Sequence, residues 1–282
     1  MKFHHETAEI FVPDGSPEEA ALARTTHMCI AAHQDDIEIM AYHGVLECFG
    51  HPDRGFLGVV VTNGSGSPRD DLYAHYTDED MQKVRRVEQK KAAYVGEYCA
   101  QVFLDYPSSA VKDRGNPQVV KEIQSAVAAA RPRVVYTHNL ADKHDTHVAV
   151  VLRVIQALRG LPAEARPEKV YGCEVWRSLD WMHDREKVIF DVQAHENLAA
   201  ALVGVFDSQI CGGKRYDLAT MGRRRANASY LESHGTDDST ALTFAMDLSP
   251  LIADPGLSLA DYARGFVIRF AEDVSSKINK LA

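Results

Sequence analysis

Short apolar runs recur along this chain with helix-length segments between almost every pair of them, and that alternation constrains the fold more than any other feature of the sequence. Five runs read as strands: residues 28–32 (MCIAA), 57–62 (LGVVVT), 101–104 (QVFL), 133–137 (RVVYT) and 169–175 (KVYGCEV). Each is brief and nearly continuous in apolar character, as a strand covered on both faces must be. Between them, residues 80–98 place Met81, Val84, Val87, Ala92 and Val95 near one face of a helix, and residues 117–130 do the same with Val119, Val120, Ile123 and Val127. A further helix starts near Asp145, runs through Val148, Val151, Leu152 and Ile155, and stops at Gly160 with Pro162 just beyond. Strand, crossover helix and parallel strand in succession predict an α/β, Rossmann-like three-layer fold around a mainly parallel sheet. The last third reads as a helical C-terminal elaboration, at 193–206, 215–231 and 258–279, the last opened by Ser258 with Asp261 three residues on. The expected organisation is one domain over 1–282, its core about 25–190 and its elaboration about 191–282.

Composition narrows the partners. With 282 residues and 45% hydrophobic content, the chain can bury a sizeable core. Its net charge of -9 argues against a nucleic-acid partner. Five scattered cysteines, Cys29, Cys48, Cys99, Cys173 and Cys211, form no CxxC pair, which fits a reducing cytoplasm better than a disulfide framework or a thiolate zinc site. Met1 to Asp14 carries charges where a signal peptide needs an apolar run, so the mature chain is expected to begin near Met1 with no membrane span.

In a parallel sheet, ligands gather beyond the carboxyl ends of the strands. Two polar clusters fall there. After the first strand comes Ala32-His33-Gln34-Asp35-Asp36-Ile37-Glu38, and after the fourth comes Thr137-His138-Asn139-Leu140-Ala141-Asp142-Lys143-His144-Asp145-Thr146-His147. His33 and Asp36 can turn toward one point from a tight loop, and His147, one turn into its helix, can supply a third ligand. Three protein ligands with a fourth position open to water describe a catalytic zinc site, with iron(II) also suited to two imidazoles and a carboxylate. Asp35 would then be free to take a proton from water, and His144 to protonate a leaving amine. Taken singly, a His-x-x-His pair is more often decoration, and adjacent carboxylates after a strand often only cap a helix; their joint placement favours the metal. Glu38 reads as capping or support for the site.

The first cluster resembles the AHPDDxE signature of LmbE-like (PIG-L) deacetylases, and His144-Asp145-Thr146-His147 resembles their HPDH-type motif. Looser likeness extends to Thr62-Asn63-Gly64 and to Arg85-x-x-Glu88 followed by Ala92 and Ala93, covering roughly residues 25–175. The resemblance implies zinc on a Rossmann-like sheet, removal of acetyl groups from N-acetylglucosamine-type sugars, and a homo-oligomer. It assigns His33, Asp36 and His147 as ligands, Asp35 as general base and His144 as general acid. The chain departs from the pattern twice: Gln34 stands where proline is usual, and Asp145-Thr146 stands where proline and aspartate are common. The second departure removes the carboxylate that orients the acid histidine, so Asp145 or Asp142 substitutes for it or His144 has a different role.

Asn63, Arg69, Tyr106 and Trp176, each in or near a loop after a strand, are candidate substrate contacts. Gly64-Ser65-Gly66-Ser67-Pro68-Arg69 matches no phosphate-loop pattern and reads as a flexible loop. Trp176 and Trp181, with Arg177 and His183 beside them, could form a sugar platform or simply pack. Gly212-Gly213-Lys214-Arg215 reads as a turn feeding a helix, and Arg223-Arg224-Arg225 as a solvated or inter-subunit face. Two other classes compete with deacetylation. His33-Gln34-Asp35 has the His-x-Asp form of non-haem iron(II) oxygenases, although many of those use double-sheet barrels. A sugar- or nucleotide-binding module with structural histidines is the non-enzymatic reading.

Overall fold

The computed structural model describes residues 3–282. It contains eight strands: β1 (Glu9–Phe11), β2 (Thr25–Ala31), β3 (Gly55–Thr62), β4 (Ala100–Tyr106), β5 (Val134–His138), β6 (Lys169–Cys173), β7 (Val188–Asp191) and β8 (Leu242–Asp247). They form one sheet in the order β1-β4-β3-β2-β5-β6-β8-β7. The five strands expected from apolar runs are its parallel centre, and β3 is buried along its whole length. β1, β8 and β7 add antiparallel pairings at the two ends. None of these three announces itself in the sequence. β1 and β7 are only three and four residues long, and β8 (LTFAMD) lies in a stretch otherwise read as helical. Their pairing is non-local, so it leaves no local period to detect.

Alternation along β2 explains the layers. Met28 and Ile30 point to one face, where they join Leu57, Val59, Val102 and Leu104 against the helices Gln118–Ala130 and Asp145–Arg159. Cys29 and Ala31 point to the other, where they meet Ile37, Tyr42, Val45 and Ala92 of the helices Asp36–Met40, Tyr42–Cys48 and Asp78–Val95. Both faces are covered, as a parallel sheet requires. The last third is mostly helical, with Glu196–Gly204, Tyr216–Ser229 and Leu259–Leu281 near their expected bounds, and Ser258 caps the last by accepting from the Asp261 N–H at 3.3 Å. The inserted β8 corrects the picture of an appended elaboration: residues 242–247 lie between β6 and β7 within the sheet.

A second correction concerns Arg223-Arg224-Arg225, expected on a solvated face. Arg224 is 2% exposed. Its guanidinium donates to the carbonyls of Glu38 and Ile39 at 2.8 and 3.3 Å and lies over the Tyr42 ring. It thereby satisfies carbonyls that the five-residue helix Asp36–Met40 leaves open. Arg225 alone of the three pairs outward, with Glu196.

The topology sets the site. From β2 the chain winds through β3 and β4 to one side, then returns to β5 on the other side of β2. The carboxyl ends of β2 and β5 therefore flank the point where the winding reverses, and there the connections part and leave a crevice.

Gly44 seats the helix that follows the β2 loop. A Cβ there would lie 2.6 Å from the Tyr136 ring and 2.9 Å from that of Phe56, both fully buried. Alanine's better helix propensity is worth about 1 kcal/mol, whereas overpacking against immobile rings costs about 1–3 kcal/mol. Gly44→Ala should therefore lower the thermal midpoint; an unchanged or raised midpoint would show that the rings yield.

Candidate active site

The loop after β2 is held in an unfavourable shape. Asp35 sits at φ 87°, a conformation that costs a non-glycine residue about 1–3 kcal/mol and needs surrounding contacts to persist. Its N–H donates to Gln89 Oε1 at 3.2 Å, and its carboxylate accepts from Arg85 at 3.0 Å. Arg85 also donates to the Gln34 carbonyl. Arg85 and Gln89 lie one turn apart on the helix Asp78–Val95, on a face that periodicity alone would reserve for apolar side chains. Gln34, in the usual proline position, ties the loop sideways by donating through Nε2 to the Thr62 carbonyl at 3.3 Å. Its Oε1 leaves no room for a Cβ at Gly64, which would lie 2.5 Å away at a residue already at φ +76°. Thus Thr62-Asn63-Gly64 supports the first loop from behind.

Across the crevice, β5 ends at His138 and the helix Asp145–Arg159 brings in His147. His33 Nδ1 lies 3.1 Å from His147 Nε2 and 3.2 Å from Asp36 Oδ2, and His147 Nε2 lies 3.3 Å from Asp36 Oδ2. Three Lewis-basic atoms at these mutual separations match the edges of about 3.3 Å in a tetrahedron of nitrogen and oxygen ligands about 2.0 Å from a divalent ion. His33, Asp36 and His147 could therefore hold such an ion. In the iron-oxygenase reading the carboxylate beside His33 was that of Asp35; here Asp36 takes that place while Asp35 turns to Arg85, and the sheet is open rather than a barrel.

His138 is part of this centre although its spacing offered no sign of it. It is fully buried, stacks on the His147 ring at 3.9 Å and comes within 3.6 Å of Asp36 Oδ2. Its Nε2 accepts from the Ala32 N–H at 2.9 Å, so that lone pair is already used. It braces the ligands from below.

Asp142 answers the question left by the second departure from the family motif. It accepts from the backbone N–H groups of His144 and Trp176 at 2.9 and 3.1 Å, and its Oδ1 lies 3.5 Å from His147 Nδ1. It thus orients the His147 imidazole rather than that of His144. Asp145 is exposed. His144 caps the helix instead, its Nδ1 accepting from the Thr146 N–H at 3.3 Å, which leaves the ring proton on Nε2.

Burial governs the carboxylates and their neighbours reverse it selectively. Burial lifts Asp35 to about 7 against the pull of Arg85, with the charge of Asp36 adding to the rise. Burial acts the same way on Asp36, but His147 and His138 hold it well below the usual carboxylate range. For His147, burial disfavours the cation, yet Asp36 and Asp142 raise it to about 9. Adjacent carboxylates pushed in opposite directions are a common arrangement where one must take a proton and the other must stay charged. Glu38 lies beneath them, accepting from Gln89 and Tyr98 at 2.8 Å each, and supports the loop without reaching the three donors.

The centre opens into a cavity of about 560 Å³ lined by His33, Asp35, Asp36, His144, Trp176 and Tyr216, among others. Trp176 stands as one wall, with Tyr216 edge-on at 6.2 Å and Lys214 over its ring at 4.9 Å. Of the candidate substrate contacts, Trp176 alone is placed there. Arg69 is tied to the carbonyls of Ser65 and Tyr76 and to Asp78. Tyr106 is 1% exposed, its hydroxyl on Glu122. Asn63 turns its Oδ1 to the Ser65 N–H. Trp181 belongs to a different neighbourhood, edge-on to Phe270. Lys214 and Tyr216 come from a turn and helix start whose sequence carries no chemical signature. Because the partner of a ligating imidazole sets its tautomer and basicity, Asp142→Asn should weaken divalent-metal affinity about 10–100-fold. Metal titration would check this, and unchanged affinity would remove Asp142 from that role.

Comparison with known proteins agrees with this geometry. Residues 28–158 match the PIG-L family, described as GlcNAc-PI de-N-acetylase. No curated protein sequence matches. Among solved structures, an N,N'-diacetylchitobiose deacetylase from Pyrococcus horikoshii is similar at TM-score 0.63 and 13% identity, over 89% of this chain and 93% of that one. The 4-carboxy-2-hydroxymuconate hydratase from Pseudomonas putida follows at 0.58 and 14%, over 79% and 96%. The zinc-inhibited form of a teicoplanin deacetylase stands at 0.55 and 14%, over 79% and 98%. At such identities the structures establish a shared fold, while the sequence match spans both histidine-bearing loops. Residues 28–158 are thus similar in sequence to the PIG-L family, and the chain as a whole shares its fold with these solved structures.

Proposed function

We propose that this protein is a zinc-dependent N-deacetylase that hydrolyses the acetamide of an N-acetylated amino sugar or a related small amide. The observation that carries the reading is the convergence of His33, Asp36 and His147 to 3.1–3.3 Å beside a second carboxylate, Asp35, held by Arg85 at the floor of a cavity. A divalent ion held by those three side chains would supply Lewis acidity toward an acyl oxygen and would acidify water at neutral pH. Asp35 takes the proton from the attacking water, since its raised affinity for a proton suits a base working near neutrality. Arg85 fixes the orientation of that carboxylate. His144, with its proton on Nε2, donates a hydrogen bond to the acyl oxygen as charge grows there, and the proton that Asp35 takes from water passes to the departing amine. Trp176 offers a flat face for a pyranose ring. Asn63, Arg69 and Tyr106 act at one remove, by shaping the loops around the cavity. Among the described residues no helix is long and apolar enough to cross a membrane, and the five cysteines are free, which supports a cytoplasmic site of action.

Elemental analysis together with acetate release from a panel of N-acetylglucosamine conjugates tests the proposal. One equivalent of zinc and acetate release abolished by chelator are expected; a protein that neither holds nor accepts metal would overturn it and favour the binding-module reading. Zinc should be titrated from one equivalent upward, because one structural relative has a zinc-inhibited form. Iron(II) in the same site would sustain acetate release without oxygen uptake. A second reading has its own support, since a hydratase shares this fold: hydration of an unsaturated acid with no acetate release would select it.

Asp35→Asn should keep the metal and lose turnover by about 10²–10⁴-fold; wild-type turnover would show that Asp35 is not the base. His147→Ala should lose the metal, and retention of one tight ion per chain would remove His147 from the ligand set.

A further inference from the structure

The helix Leu259–Leu281 is docked only through its first half, where Arg269 pairs with Glu186 at 2.5 Å and Phe270 lies edge-on to Trp181. Phe266 is buried, but every residue from Val267 to Ala282 is exposed. Of the fourteen large apolar side chains left exposed among the described residues, six lie on this stretch: Val267, Ile268, Phe270, Val274, Ile278 and Leu281. Five of them, all but Ile268, recur at intervals of three, four, four and three residues and make one stripe. A helix of this length with no tertiary cover is marginal in water, so a stripe this regular points to a partner.

We propose that the partner is a second copy of this chain, its helix Leu259–Leu281 packed antiparallel on the first about a two-fold axis at Val274. The spacing reads the same in both directions from Val274. Antiparallel pairing about that residue sets Val267 against Leu281 of the second copy, Phe270 against its Ile278 and Val274 against its Val274. Every apolar residue of the stripe meets another, as an isologous contact requires.

Charge selects the orientation. Asp273 and Lys277, 3.9 Å apart on one helix, share one flank of the stripe. In an antiparallel pair each flank meets its own equivalent, so Asp273 comes within about 3 Å along the axis of Lys277 of the second copy, and the reverse. A parallel pair would set that flank against the other one, where Arg264, Ile268 and Ser275 offer Lys277 no acid. An anionic lipid surface is a poorer fit, since the polar face beyond Val267 carries Arg269, Lys277 and Lys280 but also Glu272 and Asp273, without the basic excess that such a surface demands.

Sedimentation of the full chain from low to tens of micromolar concentration tests the pairing. A reversible association of two chains is expected, weakened about 100-fold or more by Val274→Glu, which buries two acids at the centre of the contact. Asp273→Lys should weaken it as well, and Asp273→Lys combined with Lys277→Asp should restore it. Near-ultraviolet circular dichroism keeps the test fair by showing that each variant is folded. A wild-type monomer throughout the range would overturn the proposal. So would association untouched by Val274→Glu, or a monomer that instead binds vesicles containing phosphatidylserine.

Discussion

Two neighbouring carboxylates, Asp35 and Asp36, are buried where β2 ends, and the arrangement around them follows from what their burial costs. An ionised carboxylate removed from water must be paired or protonated. Asp36 is paired from several directions, by the His33 N–H, by the His33 and His147 imidazoles and by the nearby His138. Asp35 is paired with Arg85 alone, and so holds its proton more readily. That asymmetry suits one carboxylate to the proposed role of a ligand and the other to that of a base. It also accounts for the strained turn: the positive φ of Asp35 aims adjacent side chains in different directions, at the expense of contacts from Arg85 and Gln89 that the helix Asp78–Val95 must supply.

The scaffold is shared more widely than the chemistry. Deacetylases and a hydratase of similar fold show that an open, mostly parallel sheet with a crevice at its reversal point does not by itself select a reaction. The selection lies in the side chains brought to the crevice. Here these are three converging donors, an ion-paired carboxylate, a histidine whose Nδ1 caps its own helix, and an aromatic wall of Trp176 and Tyr216.

Much of this was legible before any coordinates. The central strands are short apolar runs because both of their faces are covered, and that pattern survives in sequence. His33, Asp35 and Asp36 lie within four residues of one another, and His144 and His147 within one helical turn, so local spacing places each set on one loop or one face. Arg85, Gln89, Asp142, Lys214 and Tyr216 were harder to place. They reach the site from three separate parts of the chain, the helix Asp78–Val95, the loop after β5 and the start of the helix Tyr216–Ser229, and each occupies a position where a capping, solvated or packing role is the ordinary expectation. Arg224 shows the limit well: three consecutive arginines suggest solvent, yet the middle one is buried beneath the site loop because the short helix Asp36–Met40 leaves carbonyls that need donors.

The sequence by itself determined the alternation of strand and helix, the two polar clusters at strand ends and the residue types able to bind a metal, because these depend on neighbours within a few positions. Tertiary structure decided that β1, β7 and β8 join the sheet, that Asp36 rather than Asp35 faces the two imidazoles, that Asp142 steadies His147 instead of His144, and that Arg69 and Tyr106 turn away from the cavity. Each of these depends on groups from distant parts of the chain competing for the same partners under burial, and no local pattern records which of them wins.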